Sequence, residues 1–304
     1  MKAIVYRRFG GAEVLEYTDV PDPKVAQNSV LVRVRAAALN PADPMLQAGL
    51  GEAHTDTWFP VIPGWDVAGT VERVGAGVSE FGPGDEVIGY IRQEILHHGA
   101  YAERVSTPVE TLVRKPKNAS WAEAAGLPLA GLTAYRAIIQ TLNIQPGETL
   151  LIHGAAGGVG ALAAQLALAR GARVIGTASL RNHDYLSSIG ALPVAHGVGM
   201  AERVRALAPN GLDAVLDCVG KGVLATTAEL GSSRVRTCSI ADGGPGIKTV
   251  YARLDAEILV RLVEMMEAGS LRVPIAATYP LDQAAAAQAA LMQPHAPGKI
   301  VLII

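Results

Sequence analysis

Gly157, Gly158 and Gly160 lie in the stretch ETLLIHGAAGGVGALAAQLALARGARVIGTASLRN, Glu148 to Asn182, between an apolar strand-like run and an amphipathic helix-like one. Phosphate binding asks for this arrangement. A tight turn lets the backbone approach a pyrophosphate, and the helix opening beyond it aims free N–H groups and the positive end of its dipole at the charge. The spacing departs from G-x-G-x-x-G, because Ala155 stands at the first glycine position and Gly154 one residue earlier. Such a motif is weak alone, but strand, turn, helix and second strand follow here in the order a dinucleotide fold requires. Ala155, Gly157, Gly158, Val159 and Gly160 are therefore candidate cofactor contacts.

The second strand tells which dinucleotide. An NAD site uses an Asp or Glu about 20 residues beyond the glycines to bind the ribose 2′-hydroxyl. This strand ends in GTASLRN, with no acid. Ser179 and Arg181 offer a hydroxyl and a permanent guanidinium, which suit a 2′-phosphate. NADPH is the expected cofactor. His183 either adds to that phosphate site or points to water. Two further strands end at Cys218, Val219, Gly220 and at Ser239, Ile240, and in such sheets ligands bind at the carboxyl edge. These five are expected to touch the cofactor by backbone rather than by thiol chemistry.

The elements that must hold these residues follow from the rest of the chain. A length of 304 residues invites two domains at a prior of ~150 residues each. Residues 1–118 are broken by Gly and Pro into short β-rich runs such as VLVRVRAAAL and VAGTVERVG. The character changes at NASWAEAAGLPLAGLTAYRAIIQTL, where Ser120 and Glu123 form a capping-box signature ahead of a long helical pattern. A boundary near Lys117 follows. From Glu148 to about Gly269 apolar strands alternate with helical stretches, the pattern of a parallel sheet flanked by helices. The strand-like tail HAPGKIVLII has no place that periodicity alone decides.

Composition removes several function classes. Lys and Arg number 26 against 28 Asp and Glu, a formal charge of −2, so no broad positive field awaits a nucleic acid. The two cysteines, Cys218 and Cys238, have no metal-ligand spacing and are too few for a disulfide scaffold. No run stays apolar for the ~20 residues that span a bilayer. A cytoplasmic protein without membrane or nucleic-acid partners is expected.

Beyond these patterns, the sequence resembles the zinc-free quinone oxidoreductases, the zeta-crystallin-like members of the medium-chain dehydrogenase/reductase superfamily. The resemblance rests on LNPADPMLQAG, PGWDVAGTVERVGAGVSEFGPGDEVIGY, GAYAE, LPLAGLTAY, AAGGVG and the closing GKIVL. It implies an α/β protein with a GroES-like, mostly-β catalytic domain, residues 1–118 with 271–304, and a Rossmann doubly wound domain, residues 119–270. It also implies a homodimer.

Residues 1–118 contain no cysteine, and protein zinc sites are usually built from Cys and His. His54, His97 and His98 read as surface residues. No metal is expected. Without a Lewis acid the natural acceptor is a small electron-poor conjugated molecule, a quinone first, for which the protein mainly supplies proximity and orientation. Conjugated alkenes such as enones, alkenals or enoyl thioesters are the alternative, and a non-catalytic NADPH sensor is a third reading.

The catalytic candidates are Asn40, Asp43, Trp65 and Tyr90. By resemblance Asn40 lies near the nicotinamide ribose or substrate; alternatively Asn-Pro merely shapes a turn. Asp43 either joins it or caps the next helix. Trp65 either stacks on a quinone or packs in the interior. Tyr90 offers a phenolic donor, whereas Tyr101 reads as structural. Thr133 matches a family position facing nicotinamide and phosphates. Lys299 either approaches the cleft or stands exposed.

Overall fold

The structure is a computed structural model that describes residues 1–227 and 230–304. Its α/β architecture agrees with the expectation. Six parallel strands run in the order Leu192–Ala195, Arg173–Ala178, Thr149–His153, Leu212–Asp217, Gly231–Ser239 and Lys248–Thr249. The central strands are apolar because both faces are covered, as parallel sheets require. Leu150, Leu151 and Ile152 are fully buried, Leu150 and Ile152 in one apolar cluster and Leu151 in another.

The second sheet is mostly antiparallel. Its path is Ile275–Pro280, Lys299–Ile303, Ser29–Ala38, Asp66–Val74, Glu86–Tyr90 and Leu112–Arg114, with Arg104–Pro108 also paired to Ser29–Ala38. The tail that periodicity left unplaced thus supplies one strand of this sheet, Lys299–Ile303. Val301, Leu302 and Ile303 pair antiparallel with Ala38, Ala37 and Ala36.

The long helical pattern near Ser120 is broken in the structure. Ser120 forms the predicted capping box with Glu123, but the helix Trp121–Gly126 stops before Pro128, and Pro128–Tyr135 begins a second helix. Proline lacks the N–H that a continuing helix would use. The first helix packs on Ser29–Ala38, Asp66–Val74 and Lys299–Ile303, and the second on Gly158–Ala169 and Ala256–Glu267. The first helix therefore braces the second sheet, whereas the second packs mainly on helices and also meets Asp66–Val74 and Glu86–Tyr90 of that sheet, where the sequence pattern suggested one helix beyond a boundary near Lys117. Among the described residues no helix is long and apolar enough to cross a membrane.

The capping box is a direct test of how the first helix holds. Ser120 Oγ accepts from Glu123 N–H while the Glu123 carboxylate accepts from Ser120 N–H at 2.9 Å. Ser120→Ala should lower stability by about 1 kcal/mol in urea unfolding; an unchanged midpoint would show that tertiary contacts alone hold this helix.

Candidate functional site

A cavity of about 830 Å³ opens at the carboxyl edge of the parallel sheet. Its walls are the glycine turn, residues 177–179, the loop 196–202, the loop 219–223 and Pro294–His295. At its base Gly157 is the extended N-cap of the helix Gly158–Ala169, with no side-chain cap and no acid in the first turn. The first-turn N–H groups are thus open to an anion. Gly160 lets helix and strand approach: a Cβ there would lie 2.2 Å from the Gly154 carbonyl oxygen.

The turn does not present all the expected contacts. Ala155 is fully buried and donates its N–H to Thr177 O at 3.0 Å, so it faces the sheet and not the cleft. Gly158, Val159 and Gly160 sit in the first helical turn, while Gly154, Ala156 and Gly157 form the wall itself. Ser179 lines the cleft. Arg181, in the same short turn, is exposed and outside the lining; Asn182, which sequence reasoning passed over, lies inside it with its Oδ1 buried and unpartnered.

At the next strand ends a buried carboxylate reorders the expectation. Asp217 Oδ1 accepts from Val219 N–H at 2.8 Å and Gly220 N–H at 3.0 Å, and Oδ2 accepts from Ser239 Oγ at 2.8 Å. Ser239 Oγ in turn accepts from the N–H groups of Ala241 and Asp242. Val219 and Gly220 still line the cleft, but their N–H groups are already taken. Cys218, Ser239 and Ile240 lie outside the lining and shape the loops from behind. Burial pushes the Cys218 thiol well up, so no thiolate chemistry arises there.

The C-terminal strand carries the other half of the site. Gly298 donates its N–H to Ala156 O at 2.9 Å, and its φ of 102° and contact with the Pro274 carbonyl leave no room for a side chain. Lys299 follows, its stem packed over Gly158. Only 5% exposed, it is not the surface lysine that was the alternative. Its Nζ donates to Leu39 O at 2.8 Å and to Asn40 Oδ1 at 2.5 Å, and stands 3.6 Å from Asp66 Oδ2. Asn40 Nδ2 donates to Asp66 Oδ2 at 3.0 Å, and Asp66 Oδ1 accepts from Leu129 N–H at 2.8 Å. Asn40 is therefore a buried link between carboxylate and ammonium, not a simple turn residue.

Asp43 is buried beside this cluster, accepting from Asn40 N–H at 2.8 Å and Tyr101 Oη–H at 2.7 Å. That corrects its expected catalytic place: both donors are protein groups, and it positions the Asn40 loop. Tyr101 is structural as expected. Burial raises the Asp66 carboxyl and lowers the Lys299 ammonium, while each opposes the shift of the other. Burial likewise raises Asp43, to about 6, against the hydrogen bonds from Tyr101 and Asn40.

Thr133 is buried in its helix and donates its hydroxyl proton to Leu129 O at 2.7 Å, which leaves only acceptor capacity. Trp65 and Tyr90 meet edge to face at 6.2 Å between ring centroids. Burial drives the Tyr90 phenol upward, so it serves as a neutral hydrogen-bonding group. His97 Nδ1 lies 2.7 Å from Trp58 O on the opposite loop.

Two family profiles match the chain: Alcohol dehydrogenase GroES-like domain over residues 26–117 and Zinc-binding dehydrogenase over residues 189–302. The chain is 34% identical to the NADPH-dependent alkenal/one oxidoreductase, chloroplastic, of Arabidopsis thaliana, over 99% of this chain and 79% of that protein. It is 33% identical to the Quinone-oxidoreductase QR1, chloroplastic, of Triphysaria versicolor, over 99% and 98%. A crystal structure of an NAD-dependent alcohol dehydrogenase superposes with a TM-score of 0.93 at 30% identity, covering all of both chains. The donors present do not fit the zinc in the second profile's description. Among the described residues no group of three or more His, Cys, Asp or Glu is placed to hold a metal, and the cluster beside the cleft contains an ammonium.

The raised Asp43 carboxyl makes a stability prediction. Its folded pKa, about 6, exceeds the ordinary 3.8, so between these values the folded state holds the proton that the unfolded state has lost. Stability therefore falls through this group as pH rises from 4 to 7. Asp43→Asn removes that loss: relative to wild type its unfolding free energy should rise across the window, by at most about 3 kcal/mol. A pH-independent difference would mean that Asp43 ionises normally.

Proposed function

This chain belongs to the quinone oxidoreductases of the medium-chain dehydrogenase/reductase superfamily, and on that premise we propose that it reduces quinones with NADPH and without a metal. One observation carries the reading. The glycine turn and the Lys299–Asn40–Asp66 cluster meet through Gly298, so the dinucleotide cleft leads to hydrogen-bonding groups and a cation rather than to zinc donors. An acceptor there must already be electron-poor.

Bound NADPH supplies the hydride. The first-turn N–H groups of Gly158–Ala169 and the adjacent Lys299 suit its pyrophosphate, and Ser179 and Asn182 its adenosine end. Arg181 serves the 2′-phosphate from the rim, and no acid at the strand end competes for the ribose hydroxyls. Asn40 is held by Lys299 and Asp66 in one orientation, which fixes the floor on which the acceptor rests. Trp65 offers it an aromatic edge, and Thr133 an acceptor oxygen.

A second reading, reduction of conjugated alkenals or enones, is favoured by the 34% identity to the Arabidopsis protein of that description. The exposed edge strand Lys248–Thr249, followed by exposed Tyr251, supports a homodimer through the Rossmann sheets. Two unpaired, reduced cysteines fit the cytoplasm.

Chelator-treated protein should sustain NADPH oxidation with an ortho-quinone above the uncatalysed rate. Alkenal turnover with none on quinones would replace the first reading by the second. For the cofactor, Arg181→Ala should weaken NADPH by about tenfold or more, the scale of a charge-assisted hydrogen bond, with little change for NADH. Equal losses in fluorescence titrations would remove Arg181 from the phosphate site.

A further inference from the structure

Arg92 lies two residues beyond the strand Glu86–Tyr90, on the loop that leads to His97. Ile91 N–H, bonded to Trp65 O at 2.8 Å, fixes the backbone just before it. Its guanidinium spreads over the Trp65 ring, 5.2 Å from the centroid, and Trp65 meets Tyr90 edge to face. Trp65 is the neighbour of Asp66 in the chain, and Tyr90 pairs with Asp66 across the sheet, so the aromatic pair adjoins the Lys299–Asn40–Asp66 cluster through Asp66. Two features separate Arg92 from an ordinary packing arginine. It makes no ion pair among the described residues, and its Nε is buried with no hydrogen-bond partner.

A buried unsatisfied donor on a cation costs free energy unless something accepts from it. The surroundings also point to the class of acceptor. The guanidinium lies over a flat aromatic ring beside the Tyr90 phenol, surroundings that suit a planar conjugated ring. Resting on the quinone-reductase reading, we propose that Arg92 holds the acceptor's oxygen and stabilises the negative charge that gathers there. It thereby selects conjugated carbonyl compounds able to become oxyanions.

The step balances without any further reagent. The acceptor takes one hydrogen and two electrons from bound NADPH, which is left as NADP⁺. The acceptor's carbonyl π bond breaks and its electron pair comes to rest on oxygen beside the guanidinium. A solvent proton then converts the oxyanion to hydroxyl. Arg92 keeps its own protons throughout, as a guanidinium must near neutral pH.

The test separates charge recognition from simple packing. A hydroxynaphthoquinone that is ionised at neutral pH imitates the oxyanion, and its methyl ether has nearly the same shape without the charge. Wild type should bind the anion at least about tenfold tighter than the ether, as a charged hydrogen bond implies. Arg92→Met should abolish that ratio while changing ether affinity less than about threefold, and should lower kcat by about a hundredfold, the scale of a lost oxyanion donor, with KM for NADPH unchanged. Arg92→Lys, which keeps a charge but not the Nε–H, should keep part of the ratio, and decides the matter if the methionine variant does not fold. A ratio unaltered in either folded variant overturns the proposal. The ratio is read by binding alone, so it is independent of turnover; wild type that turns over no quinone sinks the functional reading instead.

Discussion

The Lys299 ammonium is the interaction on which the site depends. It is buried, and it is attached to the last strand of the chain, yet it donates to Leu39 and Asn40, about 260 residues away in sequence. Asp66 stands across from it and also accepts from Leu129 N–H at the start of a helix that packs on Gly158–Ala169 and Ala256–Glu267. One cation thus ties the closing strand, the Asn40 loop, the strand Asp66–Val74 and the Pro128–Tyr135 helix at a single point. Breaking such a buried pair leaves an uncompensated charge, typically at a cost of about 3–5 kcal/mol. The same rigidity fixes the floor beside the nucleotide cleft.

Asp217 does the equivalent work at the carboxyl edge of the parallel sheet. By accepting from Val219 and Gly220 and from Ser239, it locks two strand-end loops together. Those loops then offer the cleft their surfaces rather than their N–H groups. The first-turn N–H groups of Gly158–Ala169 stay open at the cleft, where the dipole favours negative charge. An anionic ligand is therefore guided to one end of the cavity. Trp65, Tyr90 and Asn40 gather instead around Asp66, on the aromatic and amide side.

The contrast between the two buried carboxylates near Lys299 shows how environment divides their roles. Asp66 has the ammonium, an amide and a backbone N–H, whereas Asp43 has a phenol and a backbone N–H and lies farther from the cation. Neither reaches open solvent. Both read more naturally as groups that hold Asn40 in place than as acids that meet a substrate. Chemistry is consequently left to hydride transfer itself, with the protein acting by placement and by fixed charge.

Several features were already determined by the amino-acid sequence, because they depend on neighbours in the chain. The Gly157–Gly160 turn, the capping box at Ser120, the alternation of strand and helix after Glu148 and the absent acid near Ser179 are local patterns with local causes. What periodicity could not decide was long-range: where the tail pairs, that Ala155 turns toward the sheet, and that Asn182 rather than Arg181 faces the cleft. The loop holding Arg92 carried no diagnostic pattern, since an arginine acquires meaning only from the tryptophan beneath it and from the partner its Nε lacks. Lys299 could be read as exposed or as approaching the cleft for the same reason. Whether a charged side chain meets water or a buried carboxylate is set by desolvation among residues distant in sequence, and only the tertiary structure brings them together.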